Sequence, residues 1–136
     1  MSGAGGGSPL SWKTFKVRAA RSSQELSSLI YLRPRGGVRG VEASAIVGLR
    51  SARNYTEVWL SDGSMVFDLR SLGIWSGLLS KSSFLRVHRT AIVNLSHVRQ
   101  VNQRNIDKWD LTLRNLERAW PISRTCRKEL RTRLGI

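Results

Sequence analysis

The stretch FLRVHRTAIVN (residues 84–94) is the most informative segment for the fold, because it places two arginines and a histidine between apolar residues. Aliphatic and aromatic side chains are the types that fill a core, whereas arginine, histidine and asparagine are costly to bury without partners. In a strand, Arg86 and His88 would share one face with Phe84, since successive side chains alternate. We expect the segment to be held by its apolar residues and to display the polar ones.

Composition predicts a single domain with a polyanionic partner. The chain has 136 residues, of which 40% are hydrophobic, enough for one modest core. It carries 23 Lys and Arg against 9 Asp and Glu, a net charge of +14, which favours nucleic acid as the partner and a membrane surface second. Arginine outnumbers lysine, and its planar donor fork suits phosphate oxygens and guanine edges.

The same composition excludes several classes of protein. One cysteine, Cys126, rules out an intramolecular disulfide and a cysteine-rich zinc site. The sequence contains neither an apolar run of membrane-spanning length nor the apolar region of a signal peptide. We therefore expect a soluble cytoplasmic protein that does not insert into a membrane.

Residues 1–37 are expected to be a flexible basic N-terminal segment or linker, followed by a domain over residues 38–136. The chain begins with the small, flexible residues MSGAGGGS. Leu26, Leu29 and Ile30 then fall at helical spacing after serines that could cap a helix, which predicts one short helix there. Gly36 and Gly37 follow a proline and predict the linker into the domain.

From Val38 the hydrophobic period is mostly two, which predicts six to eight short strands. The sequence SDG after a first alternating run predicts a hairpin onto Met65, and a short helix should follow with Ser71 as its cap. A final helix is expected to begin at Ser123 and to end at Gly135. The other predicted strands are residues 45–50, 55–60, 98–101, 109–113 and 119–122.

The sequence gives little support for a catalytic site or a metal site. His88 and His97 lack the spacing of metal ligands, and no phosphate-binding glycine loop occurs. Cys126 lies on the apolar stripe of the last predicted helix and is expected to pack in the core. Asp107 and Asp110, surrounded by basic residues, are expected to form local ion pairs. We predict that the protein is not an enzyme and uses no cofactor and no metal.

Once these features are assembled, FLRVHRTAIVNLSHVRQV (residues 84–101) resembles the hallmark of the LytTR family, the DNA-binding domain of LytR- and AgrA-type bacterial response regulators. Supporting matches occur in the expected order at Asn54-Tyr55, in the Leu60-x-Asp62-Gly63 hairpin and in the PISR run (residues 121–124). Thr90 replaces the usual serine and Ala91 an aromatic residue, so packing around the hallmark should be looser than in other members.

The resemblance implies a mostly β, elongated fold of about ten short strands with one or two short helices. It also implies a transcriptional regulator whose loops enter two successive major grooves of promoter DNA. Base-reading positions of the family match Asn54, Arg89 and Arg124, and arginine can fork onto guanine while asparagine can fork onto adenine. The matching backbone or positioning residues, which raise affinity without reading sequence, are Arg86, His88, Arg104, Lys108, Ser123 and Arg127.

Several alternatives stay open at this point. Arg86 and His88 fit structural groups bonded to backbone carbonyls as well as DNA contacts, and Asn54 fits a turn residue that takes the left-handed conformation. Asn94 fits a structural cap, and Trp109 fits either the core or an exposed platform for a sugar or base. The alternative function is a β-rich RNA-binding or protein-interaction module.

The partner expected is duplex DNA, bound by a homodimer on repeated sites. No acidic receiver domain precedes residue 38, so we expect a stand-alone regulator that depends on an unidentified signalling partner protein or on its own level of expression.

Overall fold

The computed structural model describes residues 28–136, which form ten short strands in three antiparallel sheets together with two α-helices and three single-turn 3-10 helices. This confirms the mostly β fold class. The strands are β1 Leu29–Leu32, β2 Arg39–Glu42, β3 Ile46–Ala52, β4 Tyr55–Leu60, β5 Met65–Asp68, β6 Phe84–His88, β7 Ala91–Asn94, β8 Val98–Gln103, β9 Trp109–Leu113 and β10 Trp120–Ile122. The α-helices are α1 Leu72–Leu78 and α2 Arg127–Leu134, and the 3-10 helices are Ala43–Ala45, Leu95–His97 and Arg124–Cys126.

A five-stranded sheet in the order β5-β4-β3-β7-β6 forms the middle layer. Its central strand is apolar on both faces, because Ile46 and Leu49 belong to one core cluster and Val47 to the other. The buried strand predicted over residues 45–50 is therefore confirmed from Ile46 onward, and it extends to Ala52, whereas Ala45 lies in the preceding 3-10 helix. Since successive side chains alternate, a run without polar residues can fill two cores at once.

The first face of this sheet is covered by α1 and by the hairpin of β1 and β2. Leu32 is fully buried in this core, and Pro34 accepts a hydrogen bond from the N–H of Gly37 across the turn that joins the two strands. The helix predicted around Leu29 and Ile30 is wrong there, because both residues lie in β1. Residues 34–37 form a hairpin turn and not a linker, so the packed body begins before residue 38.

The carboxylate of Asp68 ties this hairpin to the sheet and to α1. It is fully buried and accepts hydrogen bonds from the backbone N–H of Arg33 at 2.6 Å, from Arg70 Nε at 2.9 Å and from Trp75 Nε1 at 3.2 Å. Arg70 also stacks on the Trp75 ring, 4.4 Å from its centroid, and donates to the carbonyl of Tyr31. Burial opposes ionisation of Asp68, but the hydrogen bonds from Arg70 and Arg33 and the charge of Arg70 outweigh it, and the pKa of the carboxyl is lowered. We call these groups the Asp68 cluster.

The second face of the sheet packs against α2 and a three-stranded sheet in the order β10-β9-β8. The two sheets approach closely at Gly48, where an added Cβ would lie 2.9 Å from Trp120 Cη2 and 3.0 Å from Leu113 Cδ1. Glycine is needed there because the indole ring occupies the space that a side chain would take. The core of this face is continued by Cys126 and Leu130, so the predicted packing of Cys126 is confirmed.

The local predictions are correct where a turn or cap depends on the residue type at a single position. Gly63 has a φ of 87° in the predicted hairpin, and Ser71 accepts a hydrogen bond from the N–H of Ile74 as the cap of α1. Asn94 caps the helix Leu95–His97 and donates to the carbonyl of Ile46, which confirms its structural role.

The start of the last helix is predicted incorrectly. Helix α2 begins at Arg127, after a separate 3-10 turn, and its N-cap residue is Cys126 and not Ser123. Ser123 instead bonds through its hydroxyl to Thr125. The end is predicted correctly, since Gly135 closes the helix with a φ of 73°.

Candidate nucleic-acid interface

The turn after β3 and the turn after β6 lie at the same end of the five-stranded sheet. Strands β3 and β7 are antiparallel neighbours, with Arg50 paired to Ala91, and the N–H of Ser51 donates to the carbonyl of Thr90 at 2.9 Å. The sequence separates Asn54 and Arg89 by 35 positions, yet this pairing places their turns side by side. Both side chains are exposed.

The turn between β3 and β4 consists of Arg53 and Asn54. Arg53 takes the left-handed conformation, with a φ of 59°, whereas asparagine was expected to take it. A positive φ is uncommon for residues other than glycine and asparagine. The sequence signal, the preference of asparagine for a positive φ, indicates the wrong residue here, because the pairing of β3 with β4 decides which position must turn.

The turn between β6 and β7 is braced by its own neighbours. Arg86 is exposed, and its Nη2 donates to the carbonyl of Arg89 at 2.7 Å. His88 is half-buried, and its Nδ1 accepts from the N–H of Thr90 at 3.2 Å and lies 2.8 Å from the Thr90 hydroxyl. Arg86 and His88 both hold the backbone that carries Arg89.

The protonation state of His88 follows from this arrangement. Partial burial and the nearby charge of Arg89 lower the pKa of the imidazole. Because the N–H of Thr90 can only donate, Nδ1 must accept, and the neutral ring carries its proton on Nε2. At neutral pH His88 is therefore a neutral hydrogen-bond donor and adds no positive charge.

A β-bulge in β6 brings the end of the chain to this turn. The pairing of β6 with β7 shifts between Arg86 and His88, which leaves Val87 without an opposite residue. The carbonyl of Val87 accepts from the N–H of Ser123 at 2.7 Å, and that of Arg86 lies 3.4 Å from Cys126 Sγ. Bulges re-aim the backbone next to functional sites, and this one docks the segment that carries Arg124.

The loop of residues 104–108 between β8 and β9 lies beside that segment. Arg104 forms an ion pair with the buried Asp110 at 3.2 Å, which confirms the local ion pair predicted for Asp110. The charge of Arg104 is therefore partly neutralised. Asn105 Oδ1 accepts from the N–H groups of Asp107 and Lys108 at 2.8 and 2.9 Å. Lys108 is exposed.

Arg127 contacts and braces the loop of residues 104–108. Its Nη1 donates to the carbonyl of Ile106 at 2.9 Å, and its guanidinium lies 4.8 Å from the centroid of the Trp109 ring. Among the described residues nothing accepts a hydrogen bond from its buried Nε and Nη2 atoms. Trp109 is half-buried, and Arg127 stacks on its ring, so the expectation of an exposed stacking platform does not hold.

Arg124 donates through Nη2 to the carboxylate of Asp107, and both side chains are 68% exposed. This confirms the second ion pair expected of the two aspartates. A surface recess of about 490 Å³ is lined by these two residues together with His88, Lys108 and Ser123, among others. Residues 53–54, 89–90, 104–108 and 123–124 are referred to below as the loop end.

Basic groups dominate the loop end and its supports. The two acidic residues there, Asp107 and Asp110, are opposed by a larger set of cations. These are Arg53, Arg86, Arg89, Arg104, Lys108, Arg124 and Arg127. Such a distribution attracts a polyanion at long range.

Groups for other chemistries are not assembled in the part of the chain that the structure describes. Within residues 28–136, His, Cys, Asp and Glu do not gather in threes in a way that could hold a metal ion. Burial and the nearby Glu129 raise the pKa of the Cys126 thiol, which disfavours the reactive thiolate. Neither of the two described α-helices is long and apolar enough to cross a membrane.

Comparisons with known proteins agree with this fold. Residues 37–135 match the family model described as the LytTr DNA-binding domain. The chain is also similar to the solved LytTr DNA-binding domain of a protein described as a methyl-accepting/DNA response regulator from Bacillus cereus. The two are 27% identical with a TM-score of 0.69, and the alignment covers 81% of this chain and 99% of that one. A search of curated proteins gave no match.

Proposed function

The chain belongs to the LytTr DNA-binding domain family, and from this premise we propose that it is a transcriptional regulator that binds specific sites in duplex promoter DNA. The observation that carries the proposal is the loop end. There, the turns that carry Asn54 and Arg89 lie side by side, and Arg124 lines a recess together with His88, the neighbour of Arg89, among an excess of cations.

Affinity would come mainly from the cations around the three base-reading residues. Each lysine or arginine that neutralises a phosphate releases a counterion, so binding should weaken steeply with salt. Lys108 is exposed and suited to this role, whereas Arg104 must share its charge with Asp110. Ser123 bonds through its N–H to Val87 and through its hydroxyl to Thr125, so we propose that it positions the segment that carries Arg124.

Specificity would come from the exposed ends of the turns. Arg89 and Arg124 can each fork onto guanine O6 and N7, and Asn54 can fork onto adenine N6 and N7. Because the turns of Asn54 and Arg89 are side by side while Arg124 follows β10, we propose that they read two successive major grooves. Arg86, His88 and Arg127 would serve as braces that hold these groups in place.

Selection of bound duplexes from a random pool, followed by measurement of the Arg89→Ala variant, tests this proposal. On the selected duplex the variant should lose about 1 to 3 kcal/mol of binding free energy, the value of a bidentate base contact. On a scrambled duplex it should bind nearly as well as the native protein.

Arg99→Ala is the matched control, since Arg99 is exposed and lies at the other end of β8 from residues 104–108. It removes the same charge and should leave the ratio of the two affinities unchanged. An equal loss by Arg89→Ala on every duplex would overturn the base-reading role.

The selected sequences also test how many copies bind. We propose that a homodimer binds repeated sites, in which case the selected duplexes should contain paired repeats about 10 to 10.5 bp apart, one helical turn. Competition with single-stranded RNA belongs to the same experiment. If RNA competes as well as the selected duplex does, the alternative of an RNA-binding module replaces the proposal.

A further inference from the structure

An acidic side chain lies among the groups proposed to contact DNA. Asp107 is at the loop end, where its carboxylate accepts a hydrogen bond from Arg124 and shares a recess with His88, Lys108 and Ser123. Like charges repel, so a carboxylate beside a phosphate backbone lowers affinity. Its position at this surface therefore requires a function that outweighs the repulsion.

The position of Asp107 is determined by its loop. The side chain of Asn105 accepts from the N–H of Asp107 at 2.8 Å, and Arg127 donates to the carbonyl of Ile106 at 2.9 Å. Both bonds are made to the peptide group that joins Ile106 to Asp107, its N–H to Asn105 and its carbonyl to Arg127. A side chain on a backbone held in this way can orient a partner.

Arg124 is held at its backbone by the neighbouring Ser123, whose N–H bonds to the carbonyl of Val87. Among the hydrogen bonds of the described residues, its guanidinium uses Nη2 alone, toward Asp107. Nη2 carries two N–H groups, and Asp107 takes one of them. The other lies on the same edge as either Nη1 or Nε, so one planar fork of two donors remains for guanine O6 and N7.

We propose that Asp107 is a specificity-determining residue, which holds the Arg124 guanidinium in position to fork onto guanine. This inference rests on the proposed function, because it assumes that Arg124 reads a base. Asp107 would touch the arginine and not the DNA, so its role is to position.

The magnitudes favour positioning over blocking. An exposed ion pair changes an equilibrium by about fivefold at most, whereas a bidentate base contact discriminates by about 5- to 150-fold. Asp107 is therefore too weak to keep Arg124 from a matching guanine. An arginine that is free in solution loses rotamer entropy when it binds a base, and this loss weakens binding by up to about thirtyfold. An arginine that is already oriented loses less entropy. On DNA that presents no guanine to Arg124, the carboxylate of Asp107 repels phosphates and gives no gain in affinity.

The test is the Asp107→Asn variant, measured on the duplex selected from a random pool and on its scrambled form. We expect affinity for the selected duplex to fall and affinity for the scrambled duplex to stay or to rise, so that their ratio drops by up to about fivefold, the limit set by the strength of an exposed ion pair. Glu117→Gln is the matched control, because Glu117 is exposed in the loop between β9 and β10 and its replacement changes the charge equally. Its ratio should equal that of the native protein.

A double-mutant cycle separates positioning from simple neutralisation. In an Arg124→Ala background, Asp107→Asn should not change the ratio further, since no arginine is left to orient. If Asp107→Asn instead raises both affinities equally and steepens the salt dependence by about one ion, Asp107 only neutralises Arg124, and the inference is overturned.

The two proposals fail differently. If the native protein selects no sequence from the pool, the proposed function fails and the inference fails with it. If the native protein discriminates and the Asp107→Asn variant discriminates equally well, the inference alone fails. Unfolding of each variant in urea shows whether a loss of binding reflects a loss of fold.

Discussion

Two regions of the molecule stack an arginine on a tryptophan, and they treat the charge of the arginine differently. In the Asp68 cluster, Arg70 lies 4.4 Å from the Trp75 ring centroid and is neutralised by a fully buried carboxylate. Under the loop end, Arg127 lies 4.8 Å from the Trp109 ring centroid, and within residues 28–136 it forms no ion pair. Its one hydrogen bond there is to a backbone carbonyl.

The difference shows what each region contributes. A neutralised, fully bonded arginine fastens the β1–β2 hairpin to the sheet and adds little field outside the protein. An arginine left charged beneath the loop end contributes to the positive potential there, while its buried unpaired donors cost stability. Each face of the five-stranded sheet has its own apolar core, but the neutralised arginine lies on one side and the arginine without a counter-charge on the other.

A third pair supports this distinction. Arg50 lies 4.1 Å from the Trp120 ring centroid on the same side of the sheet as Arg127, and it bonds to the carbonyl of Ala119. Burial and the charge of Arg118 lower the pKa of its guanidinium, against the opposing effect of Glu57. Here too the charge is not matched by a buried carboxylate in the described part of the chain.

The largest effect is expected from Asp68→Ala. Removing one partner of a buried, hydrogen-bonded ion pair costs about 3 to 5 kcal/mol of unfolding free energy, because Arg70 is then left without its counter-charge. Equilibrium unfolding in urea measures the change. Asp62→Ala, in the exposed β4–β5 turn, is the control and should cost about 1 kcal/mol or less. Similar losses in the two variants would remove the distinction between the regions.

A smaller and different effect is expected from Arg127→Met. Methionine keeps the packing on Trp109 and removes two buried donors that have no described partner, so unfolding free energy should change by about 1 kcal/mol or less. Binding to the selected duplex should nevertheless weaken about tenfold, because residues 104–108 lose their brace and one positive charge is lost. If Arg127→Met destabilised the fold as much as Asp68→Ala, Arg127 would be a structural group of the same kind.

The smallest effect is the dependence of unfolding free energy on pH, and the two regions should lose stability in separate pH ranges. The pKa of His88 is lowered in the fold, so its contribution to stability is present above the unfolded value of about 6.5 and is lost as pH falls below it. The same reasoning places the loss from Asp68 below about 3.8. Unfolding free energy measured from pH 7 to pH 5 should decline slightly. His88→Gln should abolish that decline, and a decline that persists in this variant would assign it to another group.

Local patterns in the sequence were sufficient for much of the fold and for the exposure of the candidate base-reading residues. The mixture of apolar and polar residues around Phe84 predicts that the apolar ones hold the segment and that Arg89 is displayed, and Arg89 is exposed in the turn between β6 and β7. Gly63 and Ser71 predict a turn and a cap because each satisfies a need of its nearest neighbours. Membership of the family also follows from such short runs, since they recur in order along the chain.

The tertiary structure alone decided features whose partners are far apart in sequence. Leu29 and Ile30 have helical spacing, but pairing with β2 and the bond from Arg33 to Asp68, 35 residues away, make this segment a strand. Burial of an apolar face and pairing of backbone groups outweigh a weak helical preference.

The candidate interface divides in the same way. The sequence determined by itself which side chains are basic and which turns expose Asn54 and Arg89. Only the structure decided that the bulge at Val87 docks Ser123, that Arg127 braces the loop from below and that Asp107 meets Arg124. The physical reason is that periodicity reports the direction of a side chain from its own strand or helix. The group that it meets is chosen by packing between elements, which no local pattern records.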